Sequence, residues 1–202
     1  MIEMKLQTNP INTMLTRQLL LFLPLWFGFA CSNSGISDST LTKIDTNIDQ
    51  ELILEKRPGT PPQVPNMVPH QQLDQNSPTD ILENLKFFLF SLEHVEEKSS
   101  GISLPSACGA FIKSNVFVNS GINREFTHIH MEPGPGSQHL VLREKDYLLT
   151  NEKGWGIKHP WSDSLTKDGL VLMMIYAPRD ENDLDQIKNI INAAYNLALS
   201  DG

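Results

Sequence analysis

Two short segments of alternating polarity, joined by a turn, constrain this chain more than any other feature. Residues 125–131 have the sequence EFTHIHM, and residues 137–142 have the sequence SQHLVL. Such alternation is typical of half-buried β-strands, and the Pro-Gly repeat at residues 133–136 is turn chemistry. We therefore predict a β-hairpin. Its first strand has one face with an aromatic residue and two histidines and another with two β-branched residues: Phe126, His128 and His130 against Thr127 and Ile129.

The rest of the pattern predicts an α+β fold. Helical periodicity and capping residues mark three segments, and further apolar runs have the length of strands. This order predicts a single mixed domain with helices packed on one mainly antiparallel sheet. The predicted helices span 78–97, 143–153 and 181–199, and the predicted strands span 110–118, 125–131, 137–142 and 169–177.

The first 30 residues have the features of an export signal. Residues 19–30 (LLLFLPLWFGFA) form a 12-residue apolar run behind Arg17. A transmembrane helix needs about 20 apolar residues to cross the hydrocarbon core, so this run is too short, and Pro24 interrupts it. Its length suits the hydrophobic region of a signal peptide. We therefore predict a signal peptide over residues 1–30.

Cys31 follows the small residues Gly28 and Ala30, and this arrangement resembles a bacterial lipobox. In a lipobox the cysteine thiol receives a diacylglycerol and becomes the new N-terminus. Gly28 stands where Leu is usual, so ordinary secretion, an uncleaved anchor and a cytosolic location stay open as alternatives. We expect a cell-envelope protein, either secreted or attached to the membrane through a lipid on Cys31.

Residues 31–76 are predicted to be a tether and a proline-rich linker. Six of the 13 prolines fall between Pro58 and Pro78, and residues 57–78 have no hydrophobic period. A proline-rich segment of this kind favours an extended spacer. The predicted folded domain then spans residues 77–202.

Charge and cysteine content exclude two classes of protein. The chain has 16 Lys and Arg against 24 Asp and Glu, and the net charge of −8 argues against nucleic acid as a partner. Only two cysteines are present, so a disulfide-stabilised miniprotein is excluded. If Cys31 is acylated, Cys108 is the one free thiol. Its small neighbours, Ala107 and Gly109, favour a small buried side chain over a nucleophile.

Four of the six histidines lie between residues 128 and 159. His128 and His130 are two residues apart on a predicted strand, so their Cβ atoms lie about 7 Å apart on one face. His139 lies on the other strand of the hairpin, and His159 follows a Gly-Trp-Gly sequence. Converging imidazoles would suit Zn²⁺, Cu²⁺ or Fe²⁺. A hydrogen-bonded polar strand pair, a metal-free catalytic base and a ligand-binding cluster are the alternatives.

Four motifs lie in this region: REFTHIH at 124–130, SQHLVL at 137–142, GWG with HP at 154–160, and YAPRD at 176–180. They resemble the fungal luciferase family, and they occur in the family's order and at similar spacing. Prokaryotic proteins of unknown function share the pattern. The resemblance implies a luciferase-like domain that oxygenates an enolic or aromatic small molecule with O₂ and uses no metal or organic cofactor. The fungal enzyme acts on 3-hydroxyhispidin.

The resemblance also implies roles for individual residues. His128, His130 or His139 would be the general base that removes a proton from an enol. Arg179 would stabilise the resulting anion, unless it pairs with a carboxylate at the start of the last helix. The alternative function is a non-catalytic ligand- or metal-binding module that uses the three strand histidines.

Three further residues are predicted to bind the substrate. Trp155 and Tyr176 could flank a flat ring, and His159 lies in the same motif as Trp155. Each has a plainer alternative: Trp155 packs against the preceding helix, Tyr176 belongs to the core, and His159 caps backbone carbonyls. The three-dimensional arrangement of these side chains decides between the alternatives.

Overall fold

A six-stranded antiparallel sheet forms the centre of the computed structural model, which describes residues 51–132 and 134–200. The spatial order of the strands is β1-β2-β3-β4-β6-β5, and every neighbouring pair is antiparallel. The predicted hairpin is present as β3 and β4. The predicted signal peptide and Cys31 lie outside the described residues. The strands are β1 (Val95–Ser99), β2 (Cys108–Ile112), β3 (Glu125–Ile129), β4 (Gln138–Arg143), β5 (Gly156–Lys158) and β6 (Leu170–Ile175).

The described helices are α1 (Thr79–Ser91), α2 (Glu144–Glu152), α3 (Ser162–Leu165) and α4 (Glu181–Leu199). α1 and α4 contact each other and the sheet. α4 begins after Asp180, whose carboxylate accepts a hydrogen bond of 2.9 Å from the backbone N–H of Asp183. Its buried stripe includes Leu184, Ile187 and Ile191, at helical spacing. Among the described helices, none is both long enough and apolar enough to cross a membrane.

This arrangement confirms the predicted α+β class with helices on a mainly antiparallel sheet. It divides the predicted helix 78–97 into two elements. Leu92 has an extended backbone, with ψ of 136°, and ends α1. Val95 then begins β1, pairs with Ile112 and remains in the hydrophobic core. Because Val95 is buried in either element, apolar spacing does not mark the break.

The pattern of the sequence also does not predict β5. Its three residues are too few to show a period, and pairing with β6 fixes its position. The absence of a side chain at Gly156 allows β5 to approach β6 closely, because a Cβ atom there would lie 2.3 Å from the backbone oxygen of Met174. β6 therefore has partners on both sides, as its continuous apolar sequence predicts.

Residues 51–77 pack against the domain, although the sequence predicts a tether and linker for nearly all of them. Leu52 and Leu54 are buried in the hydrophobic core. The side chain of Gln72 is buried, and its Oε1 accepts a hydrogen bond of 2.9 Å from the backbone N–H of Ala177. The segment contains no helix or strand. Side-chain hydrogen bonds and a few apolar residues hold it in place, and these contacts leave no period in the sequence.

Alternation along the strands gives the sheet two different faces. The face that packs against α1 and α4 is apolar and includes Leu140, Leu142 and Met173. The residues that alternate with them, such as His139 and Leu172, line a cavity on the opposite face. The candidate site lies in this cavity.

Candidate functional site

The cavity has a volume of about 670 Å³, and five of the six histidines of the chain line it. Neighbouring imidazole rings have centroids 4.8 to 5.5 Å apart, so the five rings form one contiguous cluster. Four of the rings are buried, and His139 is partly exposed to the cavity. We call these residues the histidine cluster: His70, His128, His130, His139 and His159.

Separate parts of the fold supply the cluster. His128 on β3 lies directly opposite His139 on β4 in the antiparallel register. His130 follows β3 by one residue. His159 follows β5, and its backbone N–H donates to the carbonyl of Leu172 at 2.9 Å. His70 comes from the proline-rich segment and brings its ring parallel to that of His139, with centroids 5.5 Å apart.

A bulge in β3 places a carboxylate beside His128. Thr127 pairs with Ala110, whereas Glu125 pairs with the next residue along β2, Phe111, so one residue of β3 is extra. In a regular strand, residues three apart point to opposite faces. Here Oε1 of Glu125 lies 3.2 Å from Nδ1 of His128, at ion-pair distance but not as an aligned hydrogen bond.

The extra residue is Phe126, and its position corrects the prediction that it shares a face with the two histidines. Its side chain is buried in the hydrophobic core, and its ring centroid lies 5.8 Å from that of Tyr195 on α4. The bulge changes the alternation at this point. His128 and His130 therefore line the cavity with their rings, whereas Phe126, which also borders the cavity, packs its ring against Tyr195 of α4.

Contacts with Glu125 and Ser137 determine which ring nitrogens of His128 and His130 carry a lone pair. Nδ1 of His128 faces the carboxylate of Glu125, so the proton of the neutral ring belongs on Nδ1. Nδ1 of His130 lies 2.9 Å from Oγ of Ser137. Ser137 Oγ in turn donates to the carbonyl of Gly134 at 3.4 Å, so it accepts from His130. Both rings therefore carry their lone pairs on Nε2.

His139 lies at the centre of the cluster and uses both of its nitrogens. Nδ1 of His139 is 3.2 Å from Nε2 of His128, and Nε2 of His139 is 3.3 Å from Nδ1 of His70. A neutral imidazole has one proton, so it can donate to only one of these neighbours.

His159 has a different role, because its backbone surroundings determine its tautomer. The backbone N–H of Trp161 donates to Nδ1 of His159 at 3.1 Å. The single proton of the neutral ring is then on Nε2. His159 therefore presents an N–H donor rather than a lone pair. The predicted capping of backbone carbonyls is not the contact that Nδ1 makes.

Burial favours the neutral form of four imidazoles of the cluster, those of His70, His130, His139 and His159. It lowers the pKa of His130 to about 3 and that of His70 to about 4, and neighbouring histidines add to the effect. The same causes, burial first, lower the pKa of His139 well below 6.5 and also lower the pKa of His159. The neutral imidazole is the form that accepts a proton or binds a metal ion.

Glu125 stays ionised although it is buried. Burial by itself raises the pKa of Glu125, but contacts with His128, the hydroxyl of Ser100 and the backbone N–H of Gly101 outweigh it, and the net pKa is lowered. The Gly101 N–H donates to Oε2 at 2.9 Å. The carboxylate is therefore a fixed negative charge behind His128.

The mouth of the cavity is apolar, and the interior is polar. Large hydrophobic side chains that are exposed to solvent normally need no explanation when they are scattered, but several of them meet at this mouth. Such a combination is typical of sites for small, partly apolar molecules. The exposed residues that line the cavity are Val68, Ile102, Leu104, Trp161 and Leu165.

In each of two groups of three histidines, one ring nitrogen from every residue lies within 4.8 Å of the corresponding nitrogens of the other two, close enough to hold a metal ion. Both groups include His139. The first adds His128 and His130, and the second adds His70 and His159. The chemistry available to the cavity is therefore proton transfer, hydrogen bonding from His159, and metal coordination.

A family model described as Luciferase domain matches residues 123–194. The chain contains a luciferase-like domain. This match confirms the resemblance that the four motifs indicate. No curated protein and no solved structure matches the chain.

The matched part of the luciferase-like domain contains four of the five histidines of the cluster, together with Glu125. It also contains all six residues of β4 and the whole of β6. His70 lies before the match. The segment that carries His70 therefore completes the cavity of the luciferase-like domain from outside the matched residues.

Trp155 and Tyr176, predicted to flank a substrate, do not line the cavity. Trp155 is 2% exposed, and its Nε1 donates to the backbone oxygen of Glu55 at 2.6 Å. Tyr176 is buried, with the guanidinium of Arg57 lying 5.5 Å from its ring centroid. Both side chains hold the start of the described chain against the luciferase-like domain, so packing is the better account of them.

Arg179 is also outside the cavity lining. Its Nε donates to Oδ2 of Asp183 at 2.6 Å, and its Nη2 donates to Oδ1 at 3.1 Å. Its Nη1 donates to the backbone oxygen of Pro58 at 3.0 Å. In the structure, Arg179 therefore pairs with a carboxylate at the start of the last helix, which is the alternative that the sequence left open.

The sequence motifs did not single out three residues of the site. Glu125 was visible in the REFTHIH motif, but its role depends on the bulge. Ser137 begins the second strand segment, and only the fold brings its hydroxyl to His130. His70 lies in a proline-rich segment without hydrophobic periodicity, so only its residue type could have suggested a role in the site. Spacing therefore finds the strand histidines but not the residues around them.

Cys108 lies on β2 and does not line the cavity. Its side chain is partly buried, and burial raises the pKa of its thiol. A raised pKa disfavours the thiolate, which is the nucleophilic form. This position agrees with a packed cysteine rather than a nucleophile.

Proposed function

We propose that the luciferase-like domain is an enzyme that binds an enolic or aromatic small molecule in the histidine-lined cavity and oxygenates it. The observation that carries the proposal is the pair of Glu125 and His128 facing the cavity. A base backed by a fixed carboxylate is oriented and has its positive charge stabilised after it accepts a proton. His128 is therefore the general base, and Glu125 positions it.

The cavity suits a molecule of this kind. Its volume of about 670 Å³ accommodates a small aromatic compound, and its mouth is lined by exposed apolar side chains such as Trp161. Nε2–H of His159 is a donor inside the cavity, and it stabilises the oxygen of an enolate. His130 and His139 lie beside the base, and their neutral imidazoles add no competing charge.

The reaction can be written from these groups. Nε2 of His128 accepts the enol proton, which leaves an enolate and an imidazolium next to Glu125. The enolate transfers an electron to O₂, and the two radicals combine to form a C–O bond. The imidazolium returns its proton to the peroxide anion. One substrate and one O₂ thus give one hydroperoxide, with atoms and electrons balanced.

Oxygen consumption with 3-hydroxyhispidin and simpler hydroxypyrones tests the proposal. The wild-type chain should consume O₂ with at least one of these compounds, and His128→Ala should lose the activity. His94→Ala is the matched control, because His94 is the one histidine that does not line the cavity. Full activity in His128→Ala would exclude His128 as the base.

A non-catalytic binding module is the second candidate, and the polar interior with an apolar mouth favours it as well. Trp161 lines the cavity and is 52% exposed, so its fluorescence should report a bound aromatic molecule. Saturable quenching by 3-hydroxyhispidin without O₂ consumption would support the binding module over the enzyme.

We further propose that the chain is exported and attached to the membrane of the cell envelope through an acylated Cys31. The apolar run at residues 19–30 and the lipobox-like residues before Cys31 support this. Mass spectrometry of the mature protein should find a diacylated Cys31 at the N-terminus, and Cys31→Ser should leave the protein unacylated. Any other mature N-terminus would contradict the proposal.

A further inference from the structure

We propose that a divalent first-row transition-metal ion binds between His128, His130 and His139 in the luciferase-like domain. The proposal goes beyond the proposed function and concerns a different state of the site, because the lone pair on Nε2 of His128 cannot bind an ion and accept a proton at the same time. The ligand atoms are Nε2 of His128, Nε2 of His130 and Nδ1 of His139. One nitrogen from each of these residues lies within 4.8 Å of the other two.

Each of the three ligands has a polar partner on its other nitrogen. In metal sites, the ring nitrogen that does not bind the ion usually donates to a carboxylate or another polar group, which fixes the ring and its lone pair. Here a carboxylate, a hydroxyl and a further imidazole occupy those positions, at 3.2, 2.9 and 3.3 Å. The pairs are His128 with Glu125, His130 with Ser137, and His139 with His70.

The separation of two ligand atoms agrees with a shared ion. Nε2 of His128 and Nδ1 of His139 are 3.2 Å apart. Two nitrogens that each lie about 2.0–2.1 Å from one tetrahedral ion are about 3.3 Å apart. If His139 donates through Nε2 to His70, both facing nitrogens carry lone pairs, and a cation between them removes their repulsion.

A proton shared between Nε2 of His128 and Nδ1 of His139 would also account for their short separation, but it would involve only two of the three histidines. A proton between His128 and His139 leaves the lone pair on Nε2 of His130 outside the contact. An ion uses all three lone pairs at once. The orientation of His130 by Ser137 then has a reason that a two-residue hydrogen bond does not give it.

The second group of three histidines is a poorer metal site. Nδ1 of His159 accepts the backbone N–H of Trp161, so its Nε2 is protonated and has no lone pair to offer. An ion there would have to break this hydrogen bond or remove a second proton from the imidazole. His70 is therefore a partner of the ligand His139, and His159 takes no part in the metal site.

Three protein ligands leave at least one coordination position free, which is typical of catalytic rather than structural sites. Imidazole ligands suit Zn²⁺, Fe²⁺, Cu²⁺ and Ni²⁺ rather than Mg²⁺ or Ca²⁺. The cavity gives a small molecule access to the free position. The site would thus hold an ion that a ligand in the cavity can reach.

Titration with Co²⁺ tests the proposal. The full-length chain is freed of metals with a chelator and titrated with Co²⁺ while visible absorption is recorded. Absorption bands of nitrogen-coordinated Co²⁺ should grow and saturate at one equivalent. His128→Ala and His130→Ala should each lose these bands. The proposal would be overturned if no such bands appeared, or if the bands grew without saturating at a defined ratio of Co²⁺ to protein.

Two histidines provide matched controls. His94→Ala removes a histidine outside the cavity, and His159→Ala removes one inside the cavity but outside the ligand set. Both variants should bind Co²⁺ as the wild type does. Loss of the bands in His159→Ala together with their retention in His128→Ala would assign the ion to the other group and contradict the proposal.

Milder variants keep the test valid if removal of a ligand prevents folding. Glu125→Gln and Ser137→Ala keep all three ligands and change only the partners of His128 and His130. Each substitution should weaken Co²⁺ binding about 10- to 100-fold. Circular dichroism should show the wild-type fold in both. Unchanged Co²⁺ affinity in both folded variants would contradict the assigned ligand atoms.

The outcome separates this proposal from the proposed function. O₂ consumption by a chain that binds no Co²⁺ would reject the metal site and keep the enzyme. Stoichiometric Co²⁺ binding by a chain inert toward every hydroxypyrone would keep the metal site and reject the proposed substrate class.

Discussion

On the face of the sheet that packs against α1 and α4, the strands β3, β4 and β6 carry aliphatic side chains such as Ile129, Leu140 and Met173, each at most 1% exposed. On the opposite face the same strands carry His128 and His139 around a cavity. Most side chains on both faces are buried. The two faces differ because one is filled by apolar side chains and the other surrounds a cavity with polar rings.

The difference separates stability from chemistry. Burial of the aliphatic face removes apolar area from water, so it stabilises the fold. Buried imidazoles cost free energy unless they have hydrogen-bond or charged partners. Glu125 and Ser137 supply such partners to His128 and His130. We therefore expect substitutions on the aliphatic face to change stability and substitutions on the histidine face to change reactivity.

The largest effect is expected for His128→Ala. Loss of a general base should lower kcat/KM by about 10²- to 10⁴-fold. The unfolding free energy should change less than it does for a core truncation, because Ser100 and Gly101 still contact Glu125. Rates of O₂ consumption and urea unfolding measure the two quantities. If His128→Ala were largely unfolded but its O₂ consumption per folded molecule were normal, the histidine face would contribute to stability rather than to reactivity.

A truncation on the aliphatic face should have the opposite profile. Leu142 is fully buried, so Leu142→Ala should lower the unfolding free energy by about 2–5 kcal/mol. Binding in the cavity, measured by Trp161 fluorescence, should persist below the lowered Tm. Leu148→Ala, at a residue 58% exposed, is the control and should change stability by at most about 0.5 kcal/mol.

Arg179→Ala tests whether this arginine belongs to the fold or to the site. Its loss leaves the buried carboxylate of Asp183 without its charged partner, so the unfolding free energy should fall by about 1–3 kcal/mol. Lys188→Ala, which removes the cation of the more exposed pair with Asp185, should cost less than about 1 kcal/mol. Loss of cavity binding by a folded Arg179→Ala protein would instead favour the role that the resemblance implies.

The smallest effect is a gradual dependence of stability on pH. The pKa of His130 is lowered to about 3 and that of His70 to about 4, whereas both titrate near 6.5 in the unfolded chain. Below pH 6.5 the unfolded state therefore binds more protons than the native state, and the unfolding free energy falls as the pH falls towards 4 and then 3. Above pH 6.5 this contribution is fully present.

Urea unfolding of the chelator-treated protein at pH values between 5 and 7 measures this dependence in a range where most carboxylates are ionised. The double variant His70→Gln/His130→Gln should show a shallower slope than the wild type. An equal slope in both proteins would mean that these two rings do not remain neutral in the native state.

Much of the fold could be predicted because its signals are local. The hairpin of β3 and β4, the interior strand β6 and the helix α4 each have a period or a capping residue in one short segment. The break between α1 and β1 could not be predicted, since Val95 is buried in either element. β5 is too short to have a period, and its partner strand alone fixes it.

The sequence by itself determined that His128 and His130 share a face and that His139 faces them across the hairpin, because strand period and antiparallel pairing are local properties. It also determined the luciferase-like motifs. Only the tertiary structure decided which other groups meet these rings. The bulge brings Glu125 to the cavity, and residues 51–77 bring His70. Such contacts join segments that are distant in sequence, so no period or spacing records them.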